Sequence, residues 1–151
     1  MGLISVFIFY NTASGIQSKL SFSKEFQHCN VIVYDGEHWV MIDFDRSGII
    51  TRVIKCIDAQ RLIRSLRVIP EVTAIISVNI KERHKSSWFP WWGRTCNEVC
   101  RYTSGIDVDF TFNPIQFYSR LLKYRHKRNF EVLSHWRRKH GIQRRQSAGK
   151  R

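Results

Sequence analysis

The amino-acid sequence predicts an α+β domain with a mainly antiparallel sheet. Short runs of branched and aromatic residues dominate residues 3–80, one helical pattern interrupts them, and further helical patterns follow residue 94. Strands and helices that are segregated along a chain in this way usually form a layer of helices on an antiparallel sheet. The length of 151 residues suits one domain, and a hydrophobic share of 43% is typical of a globular chain.

Five strands and one helix are predicted in the first half of the chain. The strand segments, which turn-forming residues bound, are LISVFIFY (3–10), HCNVIVY (28–34), HWVMIDFD (38–45), GIITRVIKC (48–56) and VTAIISVNI (72–80). The sequence DGE between the second and third strands is a turn signal and predicts a hairpin. DAQRLIRSL (58–66) predicts a helix, because Asp58 is a preferred N-cap residue and the apolar residues share one face.

Three helices are predicted in the second half. The first begins at Cys96, because Thr95 and Glu98 have the spacing of a capping box, and a glycine ends it. The second is NPIQFYSRLLKYRHK (113–127), which opens with a cap residue and a proline. The third is FEVLSHWRRKH (130–140), which is also followed by a glycine.

The positive charge is concentrated towards the C-terminus. The net charge is +13, and residues 120–151 contain twelve Lys and Arg against one acid, Glu131. The sequence therefore predicts a domain over residues 1–125 and a basic extension over 126–151 that is helical and then disordered. Five of its cations are the expected contacts for nucleic acid or an acidic protein surface: Arg137, Arg138, Lys139, Arg144 and Arg145. A solvated basic helix without a partner is the alternative.

Composition also limits the location of the protein. No apolar run reaches the ~18 residues that a membrane span needs. The apolar start has no basic segment, so we expect no signal peptide. Four scattered cysteines are too few for a disulfide framework, and a reducing cytoplasmic setting is expected.

Cys96 is the best candidate for a chemical role. A helix N-terminus carries about half a positive charge and free N–H groups. These groups favour a thiolate over a thiol and can bind an oxyanion during acyl transfer. The alternative interpretation is a small apolar residue that packs at a helix start.

A thiolate nucleophile needs a base and a group that orients the base. His28 is the expected base, because it begins an apolar strand that can pack against the Cys-bearing helix; a structural histidine is the alternative. Asp43 on the next strand is the expected orienting carboxylate, because Ile and Phe flank it, and Asp45 is the other choice. Both carboxylates also fit a plain polar strand exit.

These residues resemble the circularly permuted branch of the papain-like, NlpC-type cysteine hydrolases, in which the His and the third polar residue precede the Cys. The similar segments are HCNVIVYDGEHWVMIDFD and TCNEVCRYTSGIDVDFTFNPIQFYSRL, within a resemblance over about residues 3–124. Small phage-encoded members are the most similar.

The resemblance implies a papain-like antiparallel sheet packed against the helix that bears Cys96, with His28 as base and Asp43 as orienting residue. It implies hydrolysis of an amide or ester bond, in a peptide or in peptidoglycan, through an acyl-thioester and without a metal or organic cofactor. It also implies a location in the host cytoplasm or in a virion.

Two other functions are compatible with the sequence. A structural component of a phage particle would use the papain-like core as a scaffold and the basic extension to contact packaged genome or a neighbouring subunit. A metal site would combine Cys96 and Cys100 with His28 or His84, but one C-x3-C pair is a weak zinc signal. The aromatic run WFPWWG (88–93) fits a substrate wall and a packed interface equally well.

Overall fold

All strands of the described chain belong to one antiparallel sheet. The structure is a computed structural model, and it describes residues 3–12, 23–45, 48–55, 58–83, 95–109 and 111–139. In chain order the elements are β1 (Leu3–Tyr10), β2 (His28–Tyr34), β3 (Trp39–Asp45), β4 (Gly48–Ile54), α1 (Ala59–Arg67), β5 (Val72–Ile80), α2 (Cys96–Ser104), α3 (Pro114–Lys123) and β6 (Phe130–Arg137). The spatial order of the strands is β4-β3-β2-β1-β5-β6. The α+β class and the antiparallel sheet are therefore confirmed.

The predicted hairpin joins β2 to β3. The Asp35 carboxylate accepts hydrogen bonds from the backbone N–H groups of Glu37 (2.9 Å) and His38 (2.6 Å). Gly36, which lies between Asp35 and Glu37, has a φ of 109° that glycine adopts without strain. The resulting ladder pairs Val31 with Ile42 at one end and Tyr34 with Trp39 at the other.

The predicted helix caps are present in all three helices. Asp58 Oδ1 accepts from the N–H of Arg61 at 2.7 Å, and Asn113 Oδ1 accepts from the N–H of Gln116 at 3.0 Å. Gly105 ends α2 in the left-handed conformation, with φ at 69°, and its N–H donates to the last turn of the helix. The local signals therefore placed these helix ends correctly.

The sheet carries a core on each face, and β1 contributes to both. Side chains of a strand alternate between faces, so Phe7 and Phe9 pack with α2 and α3 while Val6 and Ile8 pack with α1. The first core includes Phe7, Phe9, Cys29, Ile76, Cys96, Phe117 and Leu121. The second includes Val6, Ile8, Ile32, Leu62, Ile63, Leu66 and Ile75.

The prediction of a helix over 130–140 is wrong, because residues 130–137 form strand β6. This strand pairs with β5, and Ile75 lies opposite Trp136. Exposure alternates along β6 with a period of two, which fits a strand with one covered face and not a helix. Residues 130–137 thus belong to the sheet instead of a helical extension, and the expected disordered segment, 142–151, lies outside the described residues.

Leucines 121 and 133 provide a test of this packing. Leu121 is fully buried in α3, whereas Leu133 on β6 is 52% exposed. We expect Leu121→Ala to lower the free energy of unfolding by about 2–5 kcal/mol, because it leaves a cavity in the core, and Leu133→Ala to lower it by less than about 1 kcal/mol. Urea unfolding measures both losses, and equal losses would contradict the placement of α3.

Candidate active site

Cys96 is the first residue of α2 and is buried against the sheet. Thr95 Oγ1 accepts from the N–H of Glu98 at 3.4 Å, so the cap is formed. Only 3% of Cys96 is exposed, and it lies in the same core as Cys29 and Cys100. The predicted nucleophile is therefore at the start of a capped helix, inside the protein.

In a capping box, the Glu98 side chain would bond back to the backbone N–H of Thr95. Here Glu98 belongs instead to a buried polar network. The Glu98 carboxylate pairs with the Arg101 guanidinium at 2.8 Å and accepts from the N–H of Thr111 at 3.2 Å. The Asn97 amide also donates to the carbonyl and the hydroxyl of Thr111. These bonds fasten the first turn of α2 to the segment that leads into α3, and so they fix the position of Cys96.

His28 and Asp43 are in direct polar contact. His28 Nε2 and Asp43 Oδ1 are 2.7 Å apart, and 15% and 26% of the two side chains are exposed. Burial raises the pKa of Asp43, but the hydrogen bond and charge of His28 more than offset this, and the net effect lowers the pKa of the carboxyl. An ionised carboxylate can only accept, so Nε2 carries the proton.

The base and the nucleophile come from opposite faces of the sheet. By strand alternation, Cys29 shares the core of α2, whereas His28 belongs to the α1 face with Asn30. His28 is the first residue of β2 and lies outside the β2–β3 ladder, which begins at Val31. From this strand end it still interacts with Cys96, as the mutual effects on their pKa values show.

The environment of His28 favours the imidazolium. Burial alone would lower the pKa of His28, but the hydrogen bond to Asp43 and the interaction with Cys96 outweigh it and raise this pKa to about 10. The other ring nitrogen, Nδ1, is buried and has no hydrogen-bond partner within the described residues. His28 is thus positively charged at neutral pH with one nitrogen still available.

The environment of Cys96 favours the thiolate. A hydrogen bond from the Cys29 thiol is the largest influence and lowers the pKa of Cys96; burial opposes it, and the nearby, positively charged His28 lowers it further. Burial is also the main cause that raises the pKa values of Cys29 and Cys100, whose sulfurs are 3.8 Å apart. Of these three thiols, Cys96 is therefore the one whose pKa is lowered.

Two residues beside His28 complete the surroundings of the imidazole. The Tyr10 and His28 rings lie 5.9 Å apart at an angle of 36°. Asn30 Nδ2 donates to the Tyr10 hydroxyl at 3.0 Å, and the Asn30 amide also helps to lower the pKa of Asp43. Sequence reasoning did not select Tyr10, Cys29 or Asn30, although a buried Asn on the His28 face of an apolar strand was a usable signal.

The residues predicted to contact a partner have different surroundings in the structure. Arg137 pairs with Glu25 at 2.7 Å. The Arg138 guanidinium donates to the backbone carbonyls of Arg67 and Ile69 at 3.0 Å and 2.9 Å. Lys139 is exposed. The remaining candidates lie outside the described residues: Arg144, Arg145, His84, the run 88–93 and the side chain of Asp45.

Comparison of the chain with models of protein families, curated proteins and solved structures finds no match. No group of three His, Cys, Asp or Glu in the described residues is arranged to hold a metal ion. The helices of the described ranges are too short or too polar to cross a membrane. The chemistry of the site therefore has to be inferred from its own geometry.

Replacing Cys29 tests the hydrogen bond to the thiolate. We expect Cys29→Ala to raise the pKa of Cys96, because the largest influence that lowers it is lost. The measurement is the pH dependence of Cys96 alkylation, read by mass spectrometry. Cys100→Ala is the matched control, since it removes an equally buried thiol whose hydrogen bond is to Cys29; a larger shift in the control would contradict the assignment.

Replacing Asp43 tests the support of the imidazolium. In Asp43→Asn the pKa of His28 should fall from about 10, because the amide carries no charge. The raised pKa stabilises the fold fully below the unfolded His pKa of about 6.5 and ceases to do so as the pH rises through the folded value. Relative to the wild type, the variant should thus lose most stability at neutral pH and below. This loss should shrink as the pH rises towards about 10, the pKa of His28 in the wild-type protein.

The titration of the His28 ring by NMR measures this pKa directly. Glu37→Gln is the control, because Glu37 lies 3.9 Å from a different histidine, His38, at an exposed turn. An unchanged His28 titration in Asp43→Asn would show that the 2.7 Å contact does not govern the charge of the ring.

Proposed function

We propose that this protein is a cysteine hydrolase that cleaves an amide or ester bond through an acyl-thioester on Cys96. The observation that carries the proposal is the arrangement of Asp43, His28 and Cys96, in which Asp43 lies 2.7 Å from His28 and His28 and Cys96 each shift the pKa of the other. It combines a lowered Cys pKa with a raised His pKa, so that thiolate and imidazolium coexist at neutral pH. Cysteine hydrolases use this charge state for attack.

In the first half of the proposed reaction, the Cys96 thiolate attacks the carbonyl carbon of the substrate. The N–H groups of Cys96 and Asn97, at the start of α2, have no acceptor within the helix and hold the oxyanion that forms. The His28 imidazolium gives its proton to the leaving nitrogen or oxygen. The carbon–heteroatom bond then breaks and the acyl-thioester forms.

In the second half, water hydrolyses the thioester. Neutral His28 takes a proton from the water as its oxygen bonds to the acyl carbon. The carbon–sulfur bond breaks, the sulfur leaves as a thiolate, and the acid product departs. The thiolate–imidazolium pair is thereby restored without a change in oxidation state.

The two nitrogens of His28 have separate roles in this scheme. Nε2 stays on Asp43, which orients the ring and stabilises its charge, as the third member of a catalytic triad does. Nδ1, which no described residue occupies, exchanges the proton with Cys96, the leaving group and water. Since Cys96 is 3% exposed and Asp43 is the most exposed of the three, the substrate approaches from the strand-end side.

We further propose a permuted papain-like, NlpC-type fold and a peptide or peptidoglycan amide as substrate. The support is the order His28, Asp43, Cys96 along the chain and the packing of a Cys-bearing helix on an antiparallel sheet. The phage-encoded members that the sequence resembles make a host-cell or virion setting part of this proposal.

The test is hydrolysis of a panel of activated esters, peptide amides and purified peptidoglycan. Cys96→Ala and His28→Ala should each lower kcat by about 10⁴-fold or more, and the double variant should be no slower than the single ones, because the pair acts as a unit. Cys100→Ala, an equally buried change on the same helix, should keep most of the activity.

Trapping of the intermediate gives a second readout. A peptide with an electrophilic carbonyl should form an adduct on Cys96 that mass spectrometry locates, and His28→Ala should slow its formation. Hydrolysis that survives in Cys96→Ala, or an adduct on another cysteine, would refute the proposal.

A further inference from the structure

The outer surface of α1 carries three arginines and no acid. Arg61, Arg64 and Arg67 are all exposed, and their spacing of three residues places them about 4.5 Å apart along the helix axis. The apolar residues of the helix, Leu62, Ile63 and Leu66, are buried in the core. The exposed side of α1 is therefore a row of guanidinium groups.

The end of β6 adds two more cations to this row. The Arg138 guanidinium donates to the carbonyls of Arg67, Ile69 and Val72 at 3.0 Å, 2.9 Å and 3.1 Å. These bonds fasten the end of β6 to the C-terminal end of α1, with exposed Lys139 next in the chain. We name the surface formed by Arg61, Arg64, Arg67, Arg138 and Lys139 the α1 basic surface.

The aromatic ring of Trp136 organises two of these cations. The Arg67 guanidinium lies 5.8 Å and that of Arg138 lies 5.4 Å from the centre of the ring, both within range of a cation–π interaction. Trp136 itself is half-buried on the α1 core. The ring therefore helps to position two of the cations of this surface.

The acids at the two ends of α1 do not neutralise this surface. Asp58 caps the helix start, where its carboxylate accepts the N–H of Arg61, and exposed Glu71 begins the turn into β5. The five cations outnumber them. The chain then continues from Lys139 into residues 140–151, which contain four more Lys and Arg and no acid.

We propose that the α1 basic surface binds the sugar–phosphate backbone of a nucleic acid without reading its sequence. Arginine suits this partner, because its planar fork matches phosphate oxygens, and four of the five cations are arginines. A membrane partner fits less well, because a helix that lies on lipid inserts its apolar face, whereas the apolar face of α1 is buried in the core.

An acidic protein also fits less well than a nucleic acid. Protein interfaces depend on a few apolar or aromatic anchors that become buried. Val68 is the one large apolar residue of the segment 58–71 that is strongly exposed, at 78%, and Trp136 is already covered by the two guanidinium groups. A repeating row of positive charges without an apolar anchor matches the repeating phosphates of a nucleic-acid backbone.

The test compares two variants that remove equal charge from different places. Arg61→Gln/Arg64→Gln/Arg67→Gln alters the α1 basic surface. Its control, Lys123→Gln/Arg125→Gln/Arg128→Gln, alters three exposed cations in and after α3. Binding of a short fluorescent DNA duplex of mixed sequence, and of a matching single strand, is followed by anisotropy over a range of salt concentrations.

The wild-type protein should bind with an affinity that falls steeply with salt. Loss of three phosphate contacts should reduce the slope of log affinity against log salt by about 2 to 3 and weaken binding at low salt by about tenfold or more. The control variant should retain most of the affinity and slope. Circular dichroism and an unchanged Cys96 alkylation rate would show that all variants are folded.

Three results would overturn the proposal. The first is an equal loss of affinity in the two triple variants, which would show that binding depends only on net charge. The second is a wild-type protein that binds neither DNA. The third is tighter binding to vesicles of anionic phospholipid than to DNA. Cys96→Ala should bind DNA as the wild type does, so the outcome is independent of the hydrolase proposal.

Discussion

The lowered pKa of the buried Cys96 thiol is the constraint on which the site depends. A buried thiol normally keeps its proton, and burial indeed raises the pKa values of Cys29 and Cys100 in the same core. Cys96 reverses this trend only because one neighbour donates a hydrogen bond and another is a cation. Cys29 and His28 are consecutive residues of strand β2. A thiolate at Cys96 therefore requires that α2 packs on β2 in one particular position.

Isolated charges in a protein interior are costly, and the arrangement around Cys96 reduces that cost in steps. The thiolate is paired with imidazolium, the imidazolium with Asp43, and the carboxylate with the N–H of Phe44 at 2.7 Å. Because the exposed fraction increases along this series from Cys96 to Asp43, the chain of charges leads from the core to solvent. A buried pair without that outlet would gain less from Coulomb attraction than it loses in hydration.

Three of the six buried side-chain polar atoms without partners in the described chain belong to residues of this site or beside it. They are His28 Nδ1, Asn30 Oδ1 and Asn97 Oδ1, whereas the other three are Ser5 Oγ, Trp39 Nε1 and Asn79 Oδ1. A fold selected for stability alone would satisfy or remove such atoms, because each costs free energy. Their position beside the proposed nucleophile, base and oxyanion-binding turn agrees with a site whose hydrogen bonds are completed by a substrate.

The local part of this structure could be predicted from the sequence, and the long-range part could not. Caps at Asp58, Thr95 and Asn113 fix helix starts through contacts over three residues, and these were correct. The segment at 130–137 has both helical and strand character, and only its pairing with β5, some 55 residues earlier in the chain, decides between them. The role of Cys29 was missed for the same reason: the thiol beside it comes from a helix whose position the sequence does not give.

The position of His28 at the end of β2 explains how residues from both faces of the sheet can form one site. Strand alternation directs His28, Asn30 and Asp43 towards the α1 side and Cys29 towards α2. Within a paired ladder these groups would be separated by the sheet, but the β2–β3 ladder is recorded only from Val31 onwards. His28 is still paired with Tyr10 of β1 and Asp43 with Ile50 of β4, but β2 and β3 are no longer paired with each other there. At this point a base supported from one face can meet a nucleophile that lies on the other. Strand alternation places the two residues on opposite faces, and they meet where the β2–β3 ladder stops.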